Sequence, residues 1–347
     1  MRLDIRNNRL RHAIGYGVIV AGLGHAQPAL STPRFTTFQV DNLPTAVNAI
    51  NASGTVAGTY TDSQQVDHAF LRTAKGTVTP VRAGTDSTTA SGINDSGEVT
   101  GTATTASGAV RGLLRDASGT VTLFDAAKNT ATVPSAIGPD GTITGYYLDA
   151  SYVFHGFVRA PSGTVTTFDL SGAAGTTPVA INGLDAVTGY ATGTSGAAEG
   201  MIRQADGTFI TFTAPGGVNF TIGLANNRQG TVAGYDEDAN GDHHGFLYSP
   251  AGKFTMFDAP NAGDGWGLGT IAYAINTAGS VTGTAADNSH VYHGFVRLSA
   301  GKITGFDAPG AGGGSREGTL PAAINDTGVI AGTLIDSAGA SHGFIRK

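Results

Sequence analysis

The chain contains no cysteine. Disulfide cross-links, thiol nucleophiles, iron–sulfur clusters and cysteine-bound zinc are therefore all excluded. Charge is scarce too, with Asp, Glu, Lys and Arg making up 13% of residues and the acidic side in excess at −6. The few Lys and Arg are scattered, which leaves no electrostatic footprint for nucleic acid or an anionic lipid surface. There is a single tryptophan, Trp266. Several catalytic signatures are also missing: no Gly-x-Ser-x-Gly elbow, no phosphate-binding loop, no His-Glu-x-x-His pair. Long hydrophobic runs are absent after the first residues. The one apolar stretch, Ala13 to Leu23, is shorter than the roughly 20 residues a membrane-spanning helix needs.

That stretch follows a basic head of Arg2, Arg6, Arg9 and Arg11, and precedes Gly24-His25-Ala26. A positive head, a short apolar segment and small residues at a cut site form the pattern of a secretory signal peptide. Residues 1–26 are accordingly expected to be a cleaved signal, residues 27–34 a short linker, and the mature chain secreted or periplasmic. Removal takes away four arginines and one aspartate, which moves the formal charge from −6 to about −9.

What is abundant is glycine, 53 of 347 residues, set among Thr, Val and Ala. Glycines not spaced every third residue, with apolar and polar residues alternating between them, predict many short strands joined by tight turns. A short motif recurs: His68-Ala69-Phe70, His155-Gly156-Phe157, His244-Gly245-Phe246, His293-Gly294-Phe295 and His342-Gly343-Phe344. Arg111-Gly112-Leu113 and Glu199-Gly200-Met201 are two further, degenerate copies. Successive copies lie 43, 44, 44, 45, 49 and 49 residues apart. Each sits in a frame of four runs: a small-residue run ending in Ile-Asn or a relative, a Val-x-Gly run, the His-Gly-Phe run, and a closing run such as Thr164 to Asp169.

Four short strands per 43 to 49 residues match a propeller blade. A solenoid is the rival, and the chain ends separate the two. The last copy stops after its third run at Lys347, while Phe35 to Val40 near the front matches the missing fourth. An N-terminal strand completing the last unit would close a ring and hide an edge, which a solenoid does not need. The expected fold is therefore all-β: a seven-bladed β-propeller over residues 35–347, with four antiparallel strands per blade. The His-Ala/Gly-Phe units with their Ile-Asn segments resemble the extracellular HAF-repeat family of bacteria. That resemblance covers Phe35 to Lys347 and implies export and a repeat fold, with no settled activity.

Repetition also separates scaffold from site. Residues found in nearly every unit, such as the histidines and Phe124, Phe168, Phe212, Phe257 and Phe306, are expected to serve the scaffold. A histidine opening a third strand can pair with a carbonyl or an aspartate across the blade. Departures from the frame mark candidate sites. The loop Asp236-Glu237-Asp238-Ala239-Asn240-Gly241-Asp242 carries oxygen ligands at alternate positions, so Asp236, Asp238, Asn240 and Asp242 are candidate ligands for calcium. An Asn-Gly hairpin turn explains the same residues without a metal. Two consecutive linkers are each five residues longer than their counterparts, one carrying Asp264 and Trp266, the other Arg316 and Glu317. These four are the candidate ligand-binding residues, since lengthened loops on a rigid scaffold are where binding commonly resides. The leading expectation is a non-catalytic module binding carbohydrate or another cell-surface macromolecule. The alternative is an extracellular hydrolase or lyase working at the axial mouth of the propeller, with calcium.

Overall fold

The computed structural model describes residues 33–84, 87–128 and 130–347. The expected signal segment 1–26 and most of the linker lie outside the described residues. Among those described, every regular element is a strand, 28 in all. They fall into seven antiparallel units of four. Unit one is Thr45–Ile50, Val56–Thr61, Asp67–Arg72 and Val78–Val81, and the next five units repeat that order. The seventh takes Gly318–Ile324, Ile330–Ile335 and Ser341–Arg346 from the end of the chain, and Phe35–Phe38 from its beginning. In that pairing Phe35 lies opposite Arg346 and Phe38 opposite Gly343. The first strands of the units contact one another in cyclic order, and the seventh contacts the first.

The recurring motif is explained by packing. Its third residue is a core residue in every unit: Phe70, Leu113, Phe157, Met201, Phe246, Phe295 and Phe344 are all fully buried. Its second residue answers to the strand beside it. Gly112, Gly156, Gly200, Gly245, Gly294 and Gly343 are registered against Phe124, Phe168, Phe212, Phe257, Phe306 and Phe38. A methyl group at any of these glycines would strike the aromatic ring. Ala69, the exception, faces Val81, where no ring needs the room.

Those outer-strand rings also join neighbouring units. Phe38 meets Phe70, Phe124 meets Phe157, Phe212 meets Phe246, Phe257 meets Phe295 and Phe306 meets Phe344, each with centroids about 6 Å apart and rings steeply inclined. An arginine from the following unit caps several of them, as Arg72 does Phe38 at 4.3 Å. The recurrent phenylalanines are thus core between units, as their repetition implies.

Every first strand is interrupted at one equivalent place by a β-bulge. The registers skip Asn48, Ser91, Ser135, Val179, Leu224, Tyr273 and Ala322. Beside each bulge the first strand comes so close to the Val-x-Gly glycine that a Cβ there would meet backbone, as Gly58 does at the Ala46 carbonyl. That close approach is the reason for the invariant glycine of the second strand.

Candidate functional site

The loops between second and third strands carry a repeated turn headed by aspartate. Asp62, Asp149, Asp238, Asp287 and Asp336 each accept, at Oδ1, backbone N–H groups two and four residues on. The other carboxylate oxygen faces the motif histidine. His68 Nε2 lies 2.9 Å from Asp62 Oδ2, and His342 Nε2 lies 2.8 Å from Asp336 Oδ2. In units three, five and six the opposite ring nitrogen also reaches the aspartate after the outer strand: Asp169, Asp258 and Asp307, at 2.9 to 3.0 Å. In unit two Arg111 takes over, with a bidentate pair to Asp125. The histidines are structural clamps, in line with their repetition. Burial pulls His155 down, but Asp169 and Asp149 outweigh it and leave the imidazole above its ordinary range. His244 behaves in the same way through Asp258.

The acidic loop of unit five is built on this same turn, so Asp238 needs no metal to explain it. Two backbone hydrogen bonds, from Asp242 and Asn240, hold its carboxyl below the usual range despite some burial. Asp242 accepts the Gly265 N–H, and Asn240 points its amide at Asp238. Asp236 is 1% exposed, and its Oδ1 has no hydrogen-bond partner. Burial pushes that carboxyl up to about 6, against the pull of His244. Among the described residues no group of three or more His, Asp or Glu stands together so as to hold a metal ion. The hydrogen bonds of the hairpin turn account for Asp238, Asn240 and Asp242. Asp236 remains the anomaly, because the equivalent positions elsewhere are Tyr60, Ala103, Tyr147, Ala191, Ala285 and Leu334.

The two lengthened linkers adopt one conformation. Gly267 N–H donates to the Gly241 carbonyl, and Arg316 N–H donates to the His290 carbonyl. Leu268 then closes back on Gly265 as Glu317 does on Gly314, and His243 and Tyr292 bond the Leu268 and Glu317 carbonyls. Each insertion is therefore a short clip fastened to the loop of the preceding unit. Both meet at the loop of unit six, where Asp264 N–H donates to Asn288 Oδ1 while Arg316 binds at His290. Asp264 and Arg316 are exposed there. Glu317 is occupied within its own linker, accepting the Gly314 N–H at 2.7 Å.

Trp266 is 81% exposed yet held in place. Its indole lies over Gly241, where a Cβ would collide with the ring. Gly241 has φ +87°, so glycine is required there twice over. The result is a flat aromatic surface, open on one side and pinned on the other by backbone bonds from both neighbours.

The bulges were not anticipated from the sequence, and they create a second feature. Their residues line two cavities that share Asn48. One, of about 610 Å³, is bordered by Asn48, Ser91 and Ser135. The other, of about 370 Å³, is bordered by Asn48, Val179, Leu224, Tyr273 and Ala322. The signal in the sequence is the small-residue character of the first runs, which does not indicate which residue leaves the register.

No family model and no curated protein matches the chain. Solved structures do. The β-propeller domain of the Trilobed protease from Pyrococcus furiosus aligns over 88% of this chain and 97% of its own, at 10% identity and TM-score 0.57. The lectin BP39L from Burkholderia pseudomallei aligns over 87% and 98%, at 12% identity and TM-score 0.53. TolB from Acinetobacter baumannii aligns over 62% of this chain at 14% identity and TM-score 0.46, and the match spans about half of it, 54%. Among the described residues no helix is long and apolar enough to cross a membrane. A domain of a protease and a lectin share this scaffold, so the scaffold does not decide between catalysis and binding. The fold of this chain is a β-propeller.

Proposed function

We propose that the chain is an exported seven-bladed β-propeller of the HAF-repeat kind, acting as a non-catalytic binding module for carbohydrate or a carbohydrate-bearing surface molecule. Seven four-stranded units in cyclic contact support the blade count. The observation that carries the functional reading is Trp266, an aromatic plane presented to solvent on a fixed support. Most of the indole is open to solvent while one edge packs on Gly241. A sugar ring stacks its C–H face on such a plane while its hydroxyls bond polar groups at the edge. Asp264, two residues away on the same clip, supplies an edge group, and Arg316 supplies another across the unit-six loop.

The test is a glycan array followed by titration of the best ligand. Trp266→Ala weakens binding by about 2 kcal/mol or more if the indole is a hot spot, and leaves the melting temperature nearly unchanged. Phe257→Ala is the control, costing about 3 kcal/mol of stability because that ring packs against Phe295. Loss of stability in the Trp266 variant equal to that in the control would make the tryptophan scaffold. Turnover of a polysaccharide or ester in a parallel activity screen would favour the hydrolase or lyase reading instead.

A further inference from the structure

The two cavities lined by the bulge residues have a chemistry that the rim does not share. One arc is polar, with Asn48, Ser91 and Ser135 from the first three units. The other is apolar, with Val179, Leu224, Tyr273 and Ala322 from the last four. These residues sit at one position of seven equivalent strands, so the division reflects side-chain choice on a common backbone.

Asn48 spends one amide N–H on the Ala90 carbonyl, Nδ2 to O 2.7 Å, and Ser135 spends its hydroxyl on the Pro178 carbonyl at 2.9 Å. Asn48 keeps its second N–H and its Oδ1, and Ser135 keeps the lone pairs of its Oγ, so the arc can both donate and accept. The charged residue bordering this arc is Asp67, whose Oδ1 already accepts the Thr61 hydroxyl at 2.8 Å. Opposite, Tyr273 is 37% exposed and Leu224 and Val179 are partly open. With a carboxylate on its border the arc disfavours an anion, and a ligand matching both arcs carries hydroxyl groups on one side and an aromatic or aliphatic group on the other. Volumes of about 610 and 370 Å³ lie within the range that holds small molecules.

We infer that the axis is a binding site for a neutral glycoside, its sugar hydroxyls hydrogen-bonding with the Asn48–Ser135 arc and its apolar aglycone lying against Tyr273 and Leu224. The site is distinct from the Trp266 rim and does not depend on the reading of that rim.

The test uses phenyl β-D-glucopyranoside as probe on the mature chain, by isothermal titration, with glucose and phenol as half-ligand controls. The glycoside binds saturably, and each half alone binds at least tenfold more weakly. Tyr273→Ala and Asn48→Ala each weaken the glycoside at least tenfold. Ala322→Phe fills the axis and abolishes binding, with Ser135→Phe as the second blocking variant should the first fail to fold. Trp266 is the only tryptophan, so its fluorescence reports the rim alone: it stays unmoved on titration, and Trp266→Ala binds as the unaltered chain does. No saturable binding of the glycoside up to millimolar concentration, or binding that survives both blocking variants, overturns the proposal. Binding lost in Trp266→Ala assigns the probe to the rim and overturns it equally.

Discussion

Asn325 donates its side-chain amide to the backbone carbonyl of Asn51, at 3.0 Å, across 274 residues of sequence. The bond is one link of a chain of links. Asn51 donates to the Asn94 carbonyl, Asn94 to Gly138, Asn182 to Asn227, Asn227 to Asn276 and Asn276 to Asn325. Each asparagine also accepts backbone N–H groups of its own turn, as Asn325 does from Val329. The Ile-Asn motif is thus a belt joining consecutive units. It is broken once, at Gly138, which accepts a bond and has no side chain to pass one on.

The belt predicts two opposite effects. Asn325→Ala leaves the Val329 N–H without its side-chain acceptor and takes one of two bonds from the Asn51 carbonyl, which keeps the Gly54 N–H; it costs about 2 kcal/mol in a denaturant melt. Gly138→Asn combined with Asp140→Ser restores the missing link to Asn182 and adds about 1 kcal/mol. Asp140 must change as well, because its Oδ1 caps the turn in place of an asparagine and lies 3.1 Å from where the new Cβ would be. Equal stability of the double variant and the parent would show that the belt contributes nothing.

Asp236 sets a pH dependence. Its folded pKa of about 6 lies above the ordinary 3.8, so the folded chain holds the proton more tightly than the unfolded one. The stabilisation is complete below pH 3.8 and is lost as pH rises through 6. Asp236→Asn is therefore more stable than the parent at pH 7.5, by on the order of 2–3 kcal/mol, and the advantage disappears toward pH 4. Melts at these two pH values check it, and an Asn variant that is less stable at pH 7.5 contradicts it.

Closure rests on Phe38. Its ring fills the space left by Gly343, meets Phe70 of the first unit and lies under Arg72. Phe38→Ala costs about 3 kcal/mol. Deleting residues 35–38 exposes the edge of Ser341–Arg346 and promotes association, visible by size-exclusion chromatography. A deletion variant that stays monomeric with an unchanged melting temperature would leave the closing strand without a role.

Gly241 couples the turn to the tryptophan. Gly241→Ala strains a left-handed backbone and pushes on the indole, so both the melting temperature and the Trp266 emission shift. Asp238→Ala removes the turn's acceptor and lowers stability to the same extent with calcium or with a chelator. A calcium-dependent difference would instead support a metal site in this loop.

Much of the fold was legible because repetition marks the positions that packing constrains. The fully buried third residue of the motif, its glycine and the outer phenylalanine recur together, and the pair Ala69–Val81 varies together within the one chain. The shared location of the two longer linkers could also be read from spacing alone. What could not be read was direction. Asp236 is spaced as a ligand but lies on the buried side of its strand, and Glu317 turns back onto Gly314. The bulges escaped because an inserted residue leaves the composition of a strand unchanged while reversing which neighbours face inward.

The seven bulges have a consequence for how such a chain can change. A residue outside the ladder register owes nothing to cross-strand pairing, and here it also stays clear of the phenylalanine core. Asn, Ser, Val, Leu, Tyr and Ala all occupy that position in a single molecule, on one backbone. The axis is therefore the part of the molecule where selection can rewrite a lining one residue at a time, while the ring around it stays as it is.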